Sequence, residues 1–183
     1  MRVIAGTLKG RRLTAPTWEG LRPTSDKLRE TLFNILAPRV DAARVLDGFA
    51  GTGALGIEAI SRGAREVTFV ESDVRAQALL VENLAHCGIE SGYTVVRASV
   101  ARALEDARTN PRFVPFDIVL LDPPYGTALD AVLAGVDAAL APGGVVVLEH
   151  TRKRHAPDIA GRLVRRREVR SGDSVLTFYG LGR

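Results

Sequence analysis

Two segments of this chain carry residue types able to do chemistry: Asp47-Gly48-Phe49-Ala50-Gly51-Thr52-Gly53 and, roughly seventy residues later, Asp122-Pro123-Pro124-Tyr125. Each follows an apolar run ending in an acid, Arg44-Val45-Leu46-Asp47 and Asp117-Ile118-Val119-Leu120-Leu121-Asp122. That pattern predicts the carboxyl end of a buried parallel strand, where open α/β sheets bind ligands. The first loop can hold a nucleoside cofactor against bare backbone, and the second a planar amine beside it. Together they point to methyl transfer onto an exocyclic amino group.

Gly51-Thr52-Gly53-Ala54-Leu55-Gly56 matches G-x-G-x-x-G, a weak signal alone, because nicotinamide dehydrogenases place a pyrophosphate on such a loop. Here the strand delivers Asp47 ahead of the first glycine. A carboxylate at the mouth repels a pyrophosphate but can hydrogen-bond an ammonium, and S-adenosylmethionine carries an ammonium and no phosphate. Gly51 and Gly53 let backbone approach the ligand with no Cβ in the way. Glu71 ends the next strand, twenty positions after Gly51, as expected of an acid that binds ribose hydroxyls. Ser99 ends the third, near where adenine should lie, and equally suits a helix N-cap before Val100. The cofactor-contacting set is therefore Asp47, Phe49, Gly51, Gly53, Glu71 and Ser99.

The second loop discriminates better. The lone pair of a base or glutamine amine is delocalised, so the nitrogen is a poor nucleophile. Hydrogen bonds from its N–H groups to the Asp122 carboxylate and the Pro123 carbonyl would hold it and favour the pyramidal form that attacks a methyl group. Two prolines fix the backbone, so little entropy is lost in positioning. Tyr125 offers a ring on which a flipped base can stack. The reaction is then an in-line displacement with no covalent enzyme intermediate and no metal, carried by orientation and desolvation.

The elements that must position these loops read as alternating strands and helices from Arg44 onward. Strands are expected at 44–47, 66–71, 93–98, 116–121 and 145–149, and helices at 53–62, 73–87, 100–107 and 127–140. Gly63 and Gly88 fall where a left-handed helix C-cap is needed. Such alternation predicts an α/β fold, a mostly parallel sheet covered on both faces. Leu163–Val169 and Ser174–Tyr179, joined by Ser171-Gly172-Asp173, read as an antiparallel hairpin at its edge. Residues 2–13 look like a short hairpin with a basic tip, and Thr24 or Ser25 can cap a helix that Pro38 stops.

The chain's 183 residues suit one domain with a sizeable core. Cys87 is the single cysteine and reads as a core residue; the histidines show no zinc spacing with it. No stretch approaches the ~20 apolar residues that span a bilayer, so a cytoplasmic protein without membrane contact is expected. The net charge of +4 divides unevenly: +5 over residues 1–44, −7 over 45–150 and +6 over 151–183. Basic ends around an acidic middle suggest a cofactor domain whose termini grip a polyanion. Arg11, Arg12, Arg165, Arg166 and Arg167 fit phosphate contacts, and alternation along a strand would turn Arg166 away from Arg165 and Arg167.

With these residues in view, the chain resembles the RsmD-type methyltransferases, which modify guanine N2 in small-subunit ribosomal RNA. The resemblance rests on Arg2-Val3-Ile4-Ala5-Gly6 with Gly10-Arg11-Arg12-Leu13, on Arg22-Pro23-Thr24 through Arg29-Glu30-Thr31-Leu32-Phe33-Asn34, on Asp47 to Gly63, and on Asp122 to Tyr125. It implies a Rossmann-like class I fold with a seven-stranded sheet and S-adenosylmethionine as donor. It also implies the small ribosomal subunit or its 16S rRNA as partner. It carries cofactor binding onto Asp47, Gly51, Gly53 and Glu71, and amine recognition onto Asp122 and Tyr125. Arg22 and Thr24 gain a role near the substrate entrance, although capping explains Thr24 equally well. Residues 1–40 become a basic RNA-binding extension and 41–183 the methyltransferase domain, expected to act as a monomer. Gly48 departs from the family's usual leucine, which is expected to loosen the loop's packing.

Three other readings stay open on the residues alone: an adenine-N6 or glutamine-N5 methyltransferase, a non-catalytic assembly factor, and a nicotinamide oxidoreductase. A DNA enzyme would need a target-recognition region for which there is no room, and a glutamine-directed one would not need two basic ends.

Overall fold

The alternating apolar runs pair side by side in a computed structural model that describes residues 1–18 and 24–182. Five parallel strands form its centre: β1 (Arg44–Asp47), β2 (Glu66–Val70), β3 (Tyr93–Val96), β4 (Phe116–Leu121) and β5 (Leu140–Thr151). Two more, β7 (Leu163–Ser171) and β8 (Ser174–Leu181), form the expected hairpin, with β8 antiparallel to β5. The two-residue β6 (Ile159–Ala160) adds to β7, making the expected seven strands eight, in the order β3-β2-β1-β4-β5-β8-β7-β6.

Each central strand feeds both faces. In β4, Ile118 and Leu120 join one apolar cluster while Val119 and Leu121 join the other; in β1, Val45 and Leu46 divide the same way. This period-two alternation in a wholly apolar run is what a sheet covered on both sides requires. Helices α1 (Asp26–Val40), α2 (Ala54–Ser61) and α3 (Val74–His86) supply the first cluster; α4 (Val100–Thr109), α5 (Leu129–Leu133) and α6 (Val136–Ala139) supply the second. Cys87 is buried in the first. The chain winds outward from β1 to β3, then crosses back to place β4 on the other side of β1. That reversal opens a crevice between the carboxyl ends of β1 and β4, where such sheets bind ligands.

Several boundaries differ from expectation. Pro38 does not stop α1, which continues to Val40; in the last turn a proline costs few intrahelical bonds. The helix expected over 127–140 is two short ones, broken at Gly135, whose φ of +77° no helix accommodates. The amino-terminal hairpin reduces to one bridge, Arg2–Arg12. Gly63 and Gly88 do take positive φ, +99° and +71°, at the ends of α2 and α3.

The amino-terminal segment is fastened to α2 and α3 by polar groups, with Val3 and Leu13 buried in the first cluster, rather than by strand pairing. Glu58 of α2, fully buried, accepts from the Ile4 and Ala5 amides at 2.8 and 3.0 Å and from Arg62 Nε at 2.7 Å. Asn83 of α3 accepts from the Thr14 amide at 2.7 Å and donates to the carbonyls of Thr14 (3.1 Å) and Thr52 (2.9 Å). Glu58→Ala strands two amides and a guanidinium together, so we expect it to cost about 2–4 kcal/mol and to free residues 1–13. Thermal unfolding checks the first, hydrogen exchange at Ile4 and Ala5 the second; an unchanged melting temperature would refute it.

Candidate active site

Four acids stand at or just past the carboxyl ends of four neighbouring strands: Glu71 after β2, Asp47 in β1, Asp122 after β4 and Glu149 in β5. The sheet order makes them a row. Asp47 is 1% exposed, and its Oδ2 accepts the Gly56 amide at 2.9 Å. Burial pushes its carboxyl up to about 7 against the Gly56 hydrogen bond, with the charges of Asp122 and Glu71 adding to the rise. Glu71 Oε2 accepts the Gly51 amide at 2.8 Å and Oε1 the Asp73 amide at 2.8 Å, which holds the glycine loop against β2.

The loop itself is close-packed backbone. Gly51 and Gly53 have φ of +53° and +81°, and a Cβ on Gly53 would lie 2.2 Å from Leu80 Cδ1. Gly48 does not loosen it: its amide donates to the Leu120 carbonyl at 2.9 Å, and Leu121 and Val100 fill the space a side chain would need. Phe49 is half-buried against the second cluster, beside the loop. Ser99 Oγ accepts the Arg102 amide at 3.2 Å, so the cap role is present, and its own O–H can still donate elsewhere. The amides of Gly48, Ala50, Gly51, Gly53 and Gly56 are all paired within the protein, so the loop offers a ligand a tight backbone wall lined by Asp47 and Glu71. Such a wall fits a nucleoside bearing an ammonium and a sulfonium, because each positive charge offsets carboxylates that burial alone disfavours. Asp47, Gly51, Gly53 and Glu71 would hold S-adenosylmethionine, which supplies an electrophilic methyl group.

Asp122 is half-buried, and Tyr125, further along the same loop, is 69% exposed. Thr24 is not the helix cap. Ser25 caps α1, accepting the Leu28 amide at 3.2 Å, while the Thr24 hydroxyl turns to Asp122 Oδ2 at 2.9 Å and to Glu149 Oε2 at 3.4 Å. Burial raises Asp122 to about 6, moderated by Thr24. Burial, then the Asp122 charge, raises Glu149 to about 8 against hydrogen bonds from Ser174 and Thr24. Sequence reasoning passed over Glu149, although it too ends an apolar run, Val145-Val146-Val147-Leu148-Glu149.

The arginines do not gather at one place. Arg11 and Arg12 lie exposed on the amino-terminal segment, and Arg22 falls outside the described residues. In β7 a bulge at Arg166 shifts the register: Arg165 pairs with Tyr179 and Arg167 with Phe178. The extra residue puts Arg165 on one side with Glu168 and Arg170, while Arg167 is exposed elsewhere. Arg165 binds Asp158 and, at 2.9 Å, Glu168. Together with Arg152, Arg154, His155 and Arg170 it lines a basic cavity of about 160 Å³ at the end of β5. Among the described residues no cluster of His, Cys, Asp or Glu could hold a metal, and no helix is long and apolar enough to cross a membrane.

Comparison with known proteins agrees with this geometry. The family model described as conserved hypothetical protein 95 matches residues 1–180. YlbH of Bacillus subtilis, provisionally named an rRNA methyltransferase, is 39% identical over 98% of this chain and 98% of its own. Ribosomal RNA small subunit methyltransferase D of Haemophilus influenzae is 44% identical over 68% of this chain and 64% of its own. The solved structure of yhhF from Escherichia coli, provisionally named a methyltransferase, superposes with a TM-score of 0.84 at 31% identity, covering 100% of this chain and 98% of that one. The chain belongs to this family, the RsmD-type methyltransferases.

Proposed function

We propose that the protein transfers a methyl group from S-adenosylmethionine to the exocyclic N2 of a guanine in small-subunit ribosomal RNA. The observation that carries this reading is the placement of Asp122. Its carboxylate stands at the switch point between β1 and β4, next in the row to Asp47 of the nucleoside cradle. An amine held by Asp122 lies beside whatever the glycine loop holds, which is the arrangement an in-line displacement needs. As the N–C bond forms and the C–S bond breaks, the nitrogen sheds a proton, and Asp122 is the acceptor at hand. Its raised affinity for protons suits it to that task near neutrality. Pro123 and Pro124 hold the loop, and the exposed Tyr125 ring offers the base a stacking surface.

On this reading residues 1–40 act as a basic RNA-binding extension, with Arg11 and Arg12 on phosphates and Arg22 a substrate-contacting residue by the family resemblance. The β5 cavity and the β7 arginines grip the strand on the other flank, positioning RNA without reading its sequence. We expect a monomer that acts on ribosomal subunits in the cytoplasm.

The test is nucleoside mass spectrometry of RNA after the protein and S-adenosylmethionine are incubated with undermethylated 30S subunits. We expect N2-methylguanosine. N6-methyladenosine would overturn the base assignment, and no methylated nucleoside beside a working control enzyme would overturn the reaction.

A further inference from the structure

We infer that Glu149 determines base specificity, accepting the N1–H of the target guanine while Asp122 accepts from its N2 amine; this rests on the guanine-N2 reading above. The two carboxylates belong to adjacent parallel strands, each one residue past the paired Leu121 and Leu148, so they project side by side. One hydroxyl, that of Thr24, reaches both, at 2.9 Å to Asp122 Oδ2 and 3.4 Å to Glu149 Oε2. Two acceptors that a single small group can bridge match two neighbouring donors on one base edge.

Guanine offers that edge: N1–H lies next to the N2 amino group, and both donate. Adenine and cytosine instead place a ring acceptor next to their amine, which a carboxylate repels. Ser174 of β8 donates to Glu149 Oε1 at 3.1 Å, which orients the carboxyl and leaves Oε2 facing Asp122's side. Among the described residues neither acid forms an ion pair, so their outer oxygens have a hydroxyl where a base's donors could bind. Two N–H donors, and a cation in the adjacent cradle, favour the ionised Glu149 that burial disfavours. A buried acceptor left unpaired penalises the wrong base more than a lost contact does, which is how such sites reach high selectivity.

The test compares 30S subunits carrying guanine or 2-aminopurine at the modified nucleotide. 2-Aminopurine keeps the 2-amino group but has an acceptor at N1. The wild type should favour guanine by about 100-fold or more in kcat/KM. Glu149→Gln, whose amide can donate to that acceptor, should lower guanine turnover and shrink the preference at least tenfold. A second readout needs no turnover: with S-adenosylhomocysteine bound, 2-aminopurine fluorescence reports base capture, and the variant should capture it more tightly than the wild type. Should Glu149→Gln not fold, Ser174→Ala is expected to shrink the preference more modestly. A wild type indifferent to the exchange, or variants that slow both bases equally, would overturn the inference while leaving guanine-N2 methylation standing. Absence of N2-methylguanosine with the wild type would instead remove the reading beneath it.

Discussion

Asp122→Asn is expected to lower kcat by about 10³-fold or more while the protein stays folded and binds its cofactor. The asparagine keeps one acceptor oxygen and nearly the same shape, so the Thr24 hydroxyl retains a partner at this position. What it loses is the charged acceptor that holds the amine together with the Pro123 carbonyl, and the capacity to take the proton that the amine sheds. Asp122 lies outside the glycine cradle, and its charge raises the proton affinity of Asp47, so its removal should not weaken the cradle. Single-turnover rates at saturating cofactor, with calorimetric titration of the cofactor alongside, separate the two effects. A rate within tenfold of wild type would show that Asp122 only shapes the loop.

Asp47→Asn should do the reverse of what losing a hydrogen-bonded buried acid usually does: it should stabilise the unliganded protein. The Asp47 carboxyl sits at about 7 in the fold against an ordinary 3.8, because burial and two neighbouring acids disfavour its charge. Below about pH 4 both folded and unfolded chains hold that proton, and the group contributes no penalty. As the pH climbs toward 7 the unfolded chain has already released it while the fold still binds it, so stability falls across that interval. Above it the penalty is complete. The melting temperature of Asp47→Asn should therefore match wild type near pH 4 and exceed it by several degrees at pH 8, while cofactor affinity drops roughly 10–100-fold with the lost charge-assisted hydrogen bond. A variant that melts lower than wild type at pH 8 would refute this reading of Asp47.

Much of this architecture was legible because strand-end acids are conspicuous: a charged residue closing an apolar run is costly unless it faces a crevice. Asp47, Glu71 and Asp122 stand out by that rule, and Glu149 obeys it too but has no loop motif beside it to mark it. The parallel core and the terminal hairpin followed from periodicity and from Gly172. What sequence left undecided was which of two adjacent hydroxyls caps α1. Ser25 and Thr24 are equivalent as caps, and only packing across nearly one hundred residues turns Thr24 toward Asp122. The Arg166 bulge was hidden for a similar reason: an extra residue in one strand is defined by its partner, and nothing local announces it.

The row of acids has a consequence for the molecule as a whole. Neighbouring strands lie about 4.8 Å apart, and that spacing is fixed by backbone hydrogen bonds, so the carboxylates cannot retreat from one another by local adjustment. The sheet is a rigid rack of acids, and among the described residues none of the four forms an ion pair, so a cation that balances them has to come with a ligand. The cofactor is in this sense the fold's missing counterion. Added salt should accordingly ease the empty rack and compete with its occupant at once, so that stability and affinity respond to ionic strength with opposite sign.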